Sequence, residues 1–529
     1  MERHGLGEMK NRTHTIARAG GAALIVLIGF LTLASGAFAQ IGSGATQPQA
    51  SQAAQLPLSG RTGQTGGVAA AEAPVPGTTT SVDTLNPTVQ VQGPFTGSTS
   101  SVARMPFSGK LSLREAVQRA LQYNLGSVGL AQAVQQAHGQ SRTARSSLLP
   151  NFNGDFAVTD ETENLQTIGL TFKFPGFSIP TLIGPFSYTD VRARLSQTVA
   201  NMTELNNYRA SKETLTANQF TVQDARDLVV LAVGGAYLQV LAAQARVQAE
   251  QVEVDTANAL YMQTTQQFNF GKAAQLDVNR SQVEFLTERQ RLLTLQDDAA
   301  KQKINLARLT GLPVNAQYEL TDQIPFSAAP AVGVEDALKK ALDQRADLKA
   351  AQAQVRAAER ALAAAKDERL PSLAVNADYG AIGSTLPQAH GTFTVVATLS
   401  VPIWQGGRAA GDIEQATATL AQRQAELDDL KGQIESEVRN AYLDLQAATS
   451  QVDLAQQNIT LSQQTLGQMR TRLEAGVSNN VEVVQSQQTV SSAQLDYINS
   501  VFAHNIAKLS LARAIGNAAD SLPQFLSLP

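Results

Sequence analysis

IESEVRNAYLDLQAATSQVDLAQQNITLSQQTLGQMRTRLEAGVSNNVE, residues 434–482, decides how the chain folds. Apolar or small residues stand at Ile434, Val438, Ala441, Leu445, Ala448, Val452, Ala455, Ile459, Leu466, Met469 and Leu473. The steps alternate four and three, with one gap of seven where Ser462 interrupts. That is the heptad rhythm of a coiled coil, narrower than the stripe of an ordinary surface helix. The rhythm stops at Glu474-Ala475-Gly476, where glycine permits a reversal. It resumes at Val481, Val484, Leu495, Ile498, Phe502 and Leu509. The spacing therefore predicts an antiparallel helical hairpin over 434–511 with its tip at 476–480. Its first arm of roughly 40 residues is about 60 Å long, more than a globular core requires.

The hairpin occurs twice. An offset of about 205 positions lays Val229, Val233, Ala236, Val240, Ala243, Val247, Val254, Ala257 and Phe268 on the same seam. Gly271 then falls on Gly476, and Leu276-Asp277-Val278 falls on Val481-Glu482-Val483. Upstream, Leu149-Pro150 matches Leu370-Pro371. The duplication divides the chain into a first repeat, 109–316, with its tip at 271–275, and a second repeat, 317–516. Residues 517–529 show no pattern and read as a C-terminal tail.

Between the helices the period changes to two. Phe152, Gly154, Phe156 and Val158 alternate with polar neighbours, as do Phe393, Val395, Ala397, Leu399 and Val401. Strands are predicted at about 151–159, 188–199, 372–380 and 392–401, with 160–184 read as loop. Nine to eleven residues is the length of a tilted membrane-spanning strand, and one apolar face suits a barrel wall. Four strands cannot close a barrel, and an open edge in lipid is prohibitively costly. The chain must then oligomerise, or else the strands form a soluble sheet capping a coiled coil.

Composition narrows the function. Net charge is −4 and aromatics are 5%, which gives no basic surface for nucleic acid. There is no cysteine, hence no disulfide, thiolate metal site or lipid-anchor Cys. His4, His14, His138, His390 and His504 have no metal-ligand spacing, and no catalytic motif or cofactor-binding loop is present. Residues 1–39 read as a cleaved export signal: Arg3, Lys10, Arg12 and Arg18, a short apolar run, then Ala37-Phe38-Ala39. Residues 40–108, rich in Gly, Ser, Thr, Pro, Gln and Ala, read as a disordered tail dispensable for folding.

These features together resemble the TolC-like outer-membrane efflux protein family. The sharpest match is Pro402-Ile403-Trp404-Gln405-Gly406-Gly407-Arg408, similar to the family's strand-to-helix signature, where Pro402, Trp404, Gly406 and Gly407 carry the pattern. The two tips and the Leu-Pro entries into the strands add to it. The resemblance implies a mostly α, mixed α/β membrane protein. Duplicated helical hairpins would form an α-helical barrel in the periplasm, and four strands per chain would join a trimeric transmembrane β-barrel in outer-membrane lipid. It further implies a homotrimer that docks a periplasmic adaptor (membrane fusion protein) and an inner-membrane pump of resistance-nodulation-division or ABC type.

Carried onto the tips, the resemblance makes Gly271, Lys272, Ala273, Gly476, Val477, Ser478 and Asn479 the adaptor-docking surface. Asp277 and Glu482, each six positions after its glycine, become candidates for a periplasmic aperture, with Gln485 one turn beyond Glu482. The chain departs from well-studied members at Gln485, which is neutral where they are acidic, and at Leu473 and Ser478, which replace latch residues. A passive efflux duct, a type I protein-secretion channel and a periplasmic coiled-coil scaffold all remain open from sequence.

Overall fold

The computed structural model describes residues 67–75, 84–99, 106–167, 169, 173–174, 177–178, 180–323, 326–328, 333–475, 477–478, 480–516 and 518–526. The expected export signal at 1–39 lies outside the described residues. In chain order the elements are β1 (Val68–Val75), β2 (Thr84–Val91), β3 (Lys110–Leu111), α1 (Leu113–Tyr123), α2 (Leu125–Ser146), β4 (Asn151–Asn164), β5 (Lys173–Phe174), β6 (Phe177–Ser178) and β7 (Leu182–Ala200). They continue with α3 (Met202–Asn269), α4 (Gln275–Thr310), β8 (Glu319–Leu320), α5 (Val334–Gln344), α6 (Ala346–Asp367), β9 (Ser372–Gly383), β10 (His390–Ser400), α7 (Arg408–Glu474), α8 (Asn480–Ile515) and α9 (Ala518–Leu526). Contacts divide the chain into two units: Asn151–Ser196 with Asn376–Val396, and the remainder from Arg61 onward.

The first unit is a four-stranded sheet in the order β10-β9-β7-β4. β4 and β7 run antiparallel, with Phe156 opposite Val191 and Asp155 opposite Arg192. Because side chains alternate across the pleat, Phe152, Phe156 and Val158 share one face with Val191 and Leu195. Asn153 and Asp155 share the other with Arg192 and Arg194. On this polar face Arg192 pairs with Asp190 and Asp378, each at 2.8 Å, and Arg194 pairs with Asp155 at 3.3 Å. Gly380 makes room for that arrangement: a Cβ there would stand 2.3 Å from the Arg192 Cβ. The strands are longer than the alternation predicts. β4 continues through Glu161 to Asn164 across a bulge, and β7 begins at Leu182, inside the stretch read as loop. The backbone ladder extends wherever a partner strand is present, whatever the side chains.

The second unit is built on two hairpins, α3–α4 of 68 and 36 residues and α7–α8 of 67 and 36. On α7 the seam falls at Ile434, Val438, Ala441, Leu445, Ala448, Val452, Ala455, Ser462 and Leu466, all buried. Ser462 therefore holds a seam position rather than interrupting it. On α8 the expected start of the seam is shifted. Val481 is exposed and Val484 half-buried, while Val483 and Val490 pack on Leu466. The turn between the arms resets the helical phase, which a periodicity carried across it does not register. The α3 stretch around Val229–Val233 is apolar enough to cross a membrane by length and composition, yet 67% of it is buried. It forms a core with β2, α1 and α8, and the Tyr237 hydroxyl donates to the Leu111 carbonyl at 3.1 Å.

Two expectations at the chain's ends are corrected. The stretch 40–108 is ordered where described: β1 and β2 pair as a hairpin, and Phe95 is buried. Val89 sits where a Cβ on Gly235 of α3 would lie, 2.2 Å away. Phe95 lies against Gly126, and the Asn124 side-chain amide donates to the Phe95 carbonyl at 2.8 Å. Helical glycines thus supply sockets that compensate for the stretch's low-complexity composition. Its remaining residues lie outside the described ones. The C-terminal tail forms α9, with Ala518, Phe525 and Leu526 buried and the Ala519 amide donating to Asp227 at 3.0 Å.

Candidate functional site

The first tip closes on Gly271, whose φ of +68° is open to glycine at little cost. The Gly271 amide donates to the Phe268 carbonyl and the Lys272 amide to the Gln267 carbonyl, both at 2.8 Å. Phe270 and Lys272 are exposed, and Ala273 is half-buried. Asp277 is the third residue of α4. Its carboxylate accepts from the Ala274 amide at 3.3 Å, so it caps its own helix, where the helix dipole also favours a negative charge.

The second tip follows the same logic with different groups. α7 ends at Glu474, and the Val477 amide returns to the Arg472 carbonyl at 3.0 Å. Val477 is exposed, and Gly476 and Asn479 lie outside the described residues. The Ser478 hydroxyl donates to the Glu482 carboxylate at 2.6 Å, in the first turn of α8. Glu482 is half-buried and Gln485 exposed.

Grooves flank the tips. One of about 430 Å³ lies between α4 and α8 and is lined by Arg280, Val283, Glu284, Val481, Val484 and Gln485. Gln485 thus faces the first hairpin. A second, of about 540 Å³, lies between α3 and the α7–α8 pair, with Val252, Leu260, Arg470, Leu473 and Gln487 on its walls.

Above the tips the structure brings together carboxylates that sequence reading passed over. Glu250, Glu253 and Glu288 are buried between α3 and α4. Gln487 of α8 donates to Glu253 at 3.4 Å, and Gln488 donates to Glu284 at 3.0 Å. Among the described residues neither Glu250 oxygen has a hydrogen-bond donor. Burial, then the adjoining Glu288 carboxyl, pushes Glu250 up to about 8. Its sequence signal was the seven-residue step from Val247 to Val254, since Glu250 occupies the skipped seam position. Among the described residues no group of three or more His, Cys, Asp or Glu side chains is placed to hold a metal ion.

At the strand-to-helix motif, Gly406 and Gly407 adopt φ of +61° and +89°, and Gly407 is the N-cap of α7. Two successive left-handed residues turn the chain from strand to helix, and side chains other than glycine rarely adopt them. Ile403 and Trp404 stand almost fully exposed. An exposed aromatic beside an apolar strand belongs chemically to a lipid–water interface.

The family model described as "Outer membrane efflux protein" matches residues 116–312 and 337–517. The pyoverdine export outer membrane protein OpmQ of Pseudomonas aeruginosa is 25% identical over 334 residues, 60% of this chain and 68% of that protein. Outer membrane protein TolC of Escherichia coli is 23% identical over 344 residues, 62% of this chain and 69% of that protein. The crystal structure of outer membrane protein VceC from Vibrio cholerae superposes with a TM-score of 0.66 at 18% identity, covering 76% of this chain and 96% of that one.

Proposed function

The chain belongs to the outer membrane efflux protein family, and on that premise we propose that it is the passive outer-membrane duct of a tripartite efflux system. The observation that carries this reading is the sheet. Its apolar face is bare, with Phe152, Phe156, Phe393 and Val395 exposed, and its opposite face bears the Arg192 and Arg194 ion pairs. A patch of that size does not persist in water, and the division of faces suits lipid outside and an aqueous lumen inside. Among the described residues the edge strands β4 and β10 have no second neighbour. Three chains joined β4 to β10 would give about twelve strands and no free edge.

The long hairpins are the periplasmic part of the duct, which gives their length a use. The tips, with Phe270, Lys272 and Val477 exposed, Ser478 half-buried and a groove on either side of α8, are the surface for the adaptor, which in turn engages the inner-membrane pump. Glu482 is the aperture carboxylate in this reading, and its bond from Ser478 fixes where its charge points. Asp277, which caps α4, contributes charge to the same rim. Residues 1–39 direct export and are cleaved.

Cross-linking of the protein in mild detergent, followed by planar-bilayer recording, tests the assembly. A trimer that conducts without any energy source supports the reading. Monomers alone, or fractionation with soluble periplasm, would sink it.

A further inference from the structure

Two rows of exposed side chains run along helices that are not packed on each other within one chain. α4 packs on α3, α3 on α8 and α8 on α7, with α6 also packing on both α3 and α7, and α4 and α7 are not packed on each other. α4 turns Val278, Leu292 and Leu306 inward, and α7 turns Val438, Val452 and Leu466 inward. Away from those seams, α4 exposes Leu286, Leu293 and Ile304, and α7 exposes Leu443, Leu454 and Leu461. These six are between 48% and 65% exposed, too much apolar surface on a helix flank to be left to water.

The rows share one spacing. Seven residues separate Leu286 from Leu293, and seven separate Leu454 from Leu461. Eleven separate Leu293 from Ile304, and eleven separate Leu443 from Leu454. Seven and eleven are both near-whole numbers of helical turns, so each row stays on one flank. The order is inverted, as two antiparallel helices require.

Resting on the trimeric reading, we infer that α4 of one protomer packs antiparallel on α7 of the next in a single register, with Leu286 facing Leu461, Leu293 facing Leu454 and Ile304 facing Leu443. The intervening layers agree. Gln290 meets Gln457, Asp297 meets Ser450 and Ala300 meets Ala447, so polar faces polar and small faces small. A slip of one heptad loses this. One direction sets Asp297 against Leu443 and Ile304 against Ser436; the other sets Leu286 against Gln468 and Ile304 against Ser450. Polar layers inside an apolar seam specify register in coiled coils for the same reason. The tips give a separate check. In this register Gln275, the first residue of α4, faces Arg472, two residues short of the end of α7 at Glu474. The two hairpins therefore finish level to about 3 Å, as a rim around one entrance must.

The chain has no cysteine of its own, which makes the test clean. A disulfide needs Cα atoms within about 7 Å, whereas a one-heptad slip displaces the partners by about 10 Å. Leu293→Cys with Leu454→Cys in the full-length protein, oxidised in its membrane, should give covalent dimers and trimers on a non-reducing denaturing gel. The slipped pair, Leu293→Cys with Leu461→Cys, and each single variant should give monomers. Gln290→Cys with Gln457→Cys should bridge like the first pair, and it serves should loss of leucine prevent folding. A protein that is trimeric in mild detergent but bridges more through the slipped pair, or through neither in-register pair, overturns the register alone. A protein that is monomeric in mild detergent overturns both the register and the trimer.

Discussion

Gly235→Ala decides by its sign whether the N-terminal hairpin is part of the folded body. Gly235 lies inside α3, where replacing glycine by alanine ordinarily stabilises a helix by about 1 kcal/mol. In this structure the added methyl would lie 2.2 Å from Val89 Cγ2 and 2.8 Å from Val89 Cβ. Both distances are inside van der Waals contact, so β2 must shift outward. Overpacking of this kind costs about 1–3 kcal/mol. The net expectation is a change between neutral and destabilising by about 2 kcal/mol once the helix gain is subtracted. Val89→Ala removes both Cγ atoms and leaves a short contact that a small shift relieves. The double variant should therefore recover at least ~1 kcal/mol relative to additivity, as neighbouring residues do. The assay is native-state hydrogen exchange at the β1–β2 amides, with the denaturant midpoint of the helical signal alongside. Faster hairpin exchange in Gly235→Ala, restored in the double variant, is the expected result. A Gly235→Ala protein that is more stable by ~1 kcal/mol, with additive effects, would refute the docked hairpin and return 67–99 to the status of a tail.

Glu250→Gln removes an ionisation that burial, and then the Glu288 carboxyl, pushes up to about 8. A folded-state value raised above the ordinary 4.5 means that stability is full below that pH and is lost as pH climbs through 8. Wild-type helical stability should fall by a few kcal/mol between about pH 5 and 8, and the variant, which keeps Asp224 raised to about 6, should fall less; equal pH slopes in denaturant titrations would contradict the buried pair. Glu482→Gln should weaken cation preference and block by trivalent cations in planar bilayers, and Gln485→Glu should strengthen both; unchanged selectivity in Glu482→Gln would remove the aperture assignment but not the duct. Trp404 is the sole tryptophan and stands 85% exposed in one chain. Its emission should shift to shorter wavelength on membrane insertion and be quenched by brominated lipid, and quenching only by aqueous iodide would place the motif away from the bilayer.

The sequence by itself determined what repeats and periods can carry. The heptad from Ile434 to Leu466 fixed α7 and its buried edge, because a side chain every three or four residues can face one neighbour whatever that neighbour is. Strict alternation fixed the strands and their two faces, and consecutive glycines at 406 and 407 marked the strand-to-helix turn. Tertiary structure decided what depends on a partner distant in sequence. The ends of β4 and β7 follow their pairing, not their composition. The seam on α8 begins at Val483 because the phase is set across the tip by Leu466. The N-terminal hairpin is held by Gly235 and Gly126, glycines that look like flaws in a helix until Val89 and Phe95 fill the space. The skipped seam step at Glu250 hinted at its burial, but its perturbation became visible only when α4 brought Glu288 against it. Glu482 remains the clearest instance of the division: its place after a glycine tip was legible in the repeat, but its bond from Ser478 follows from how the second tip turns.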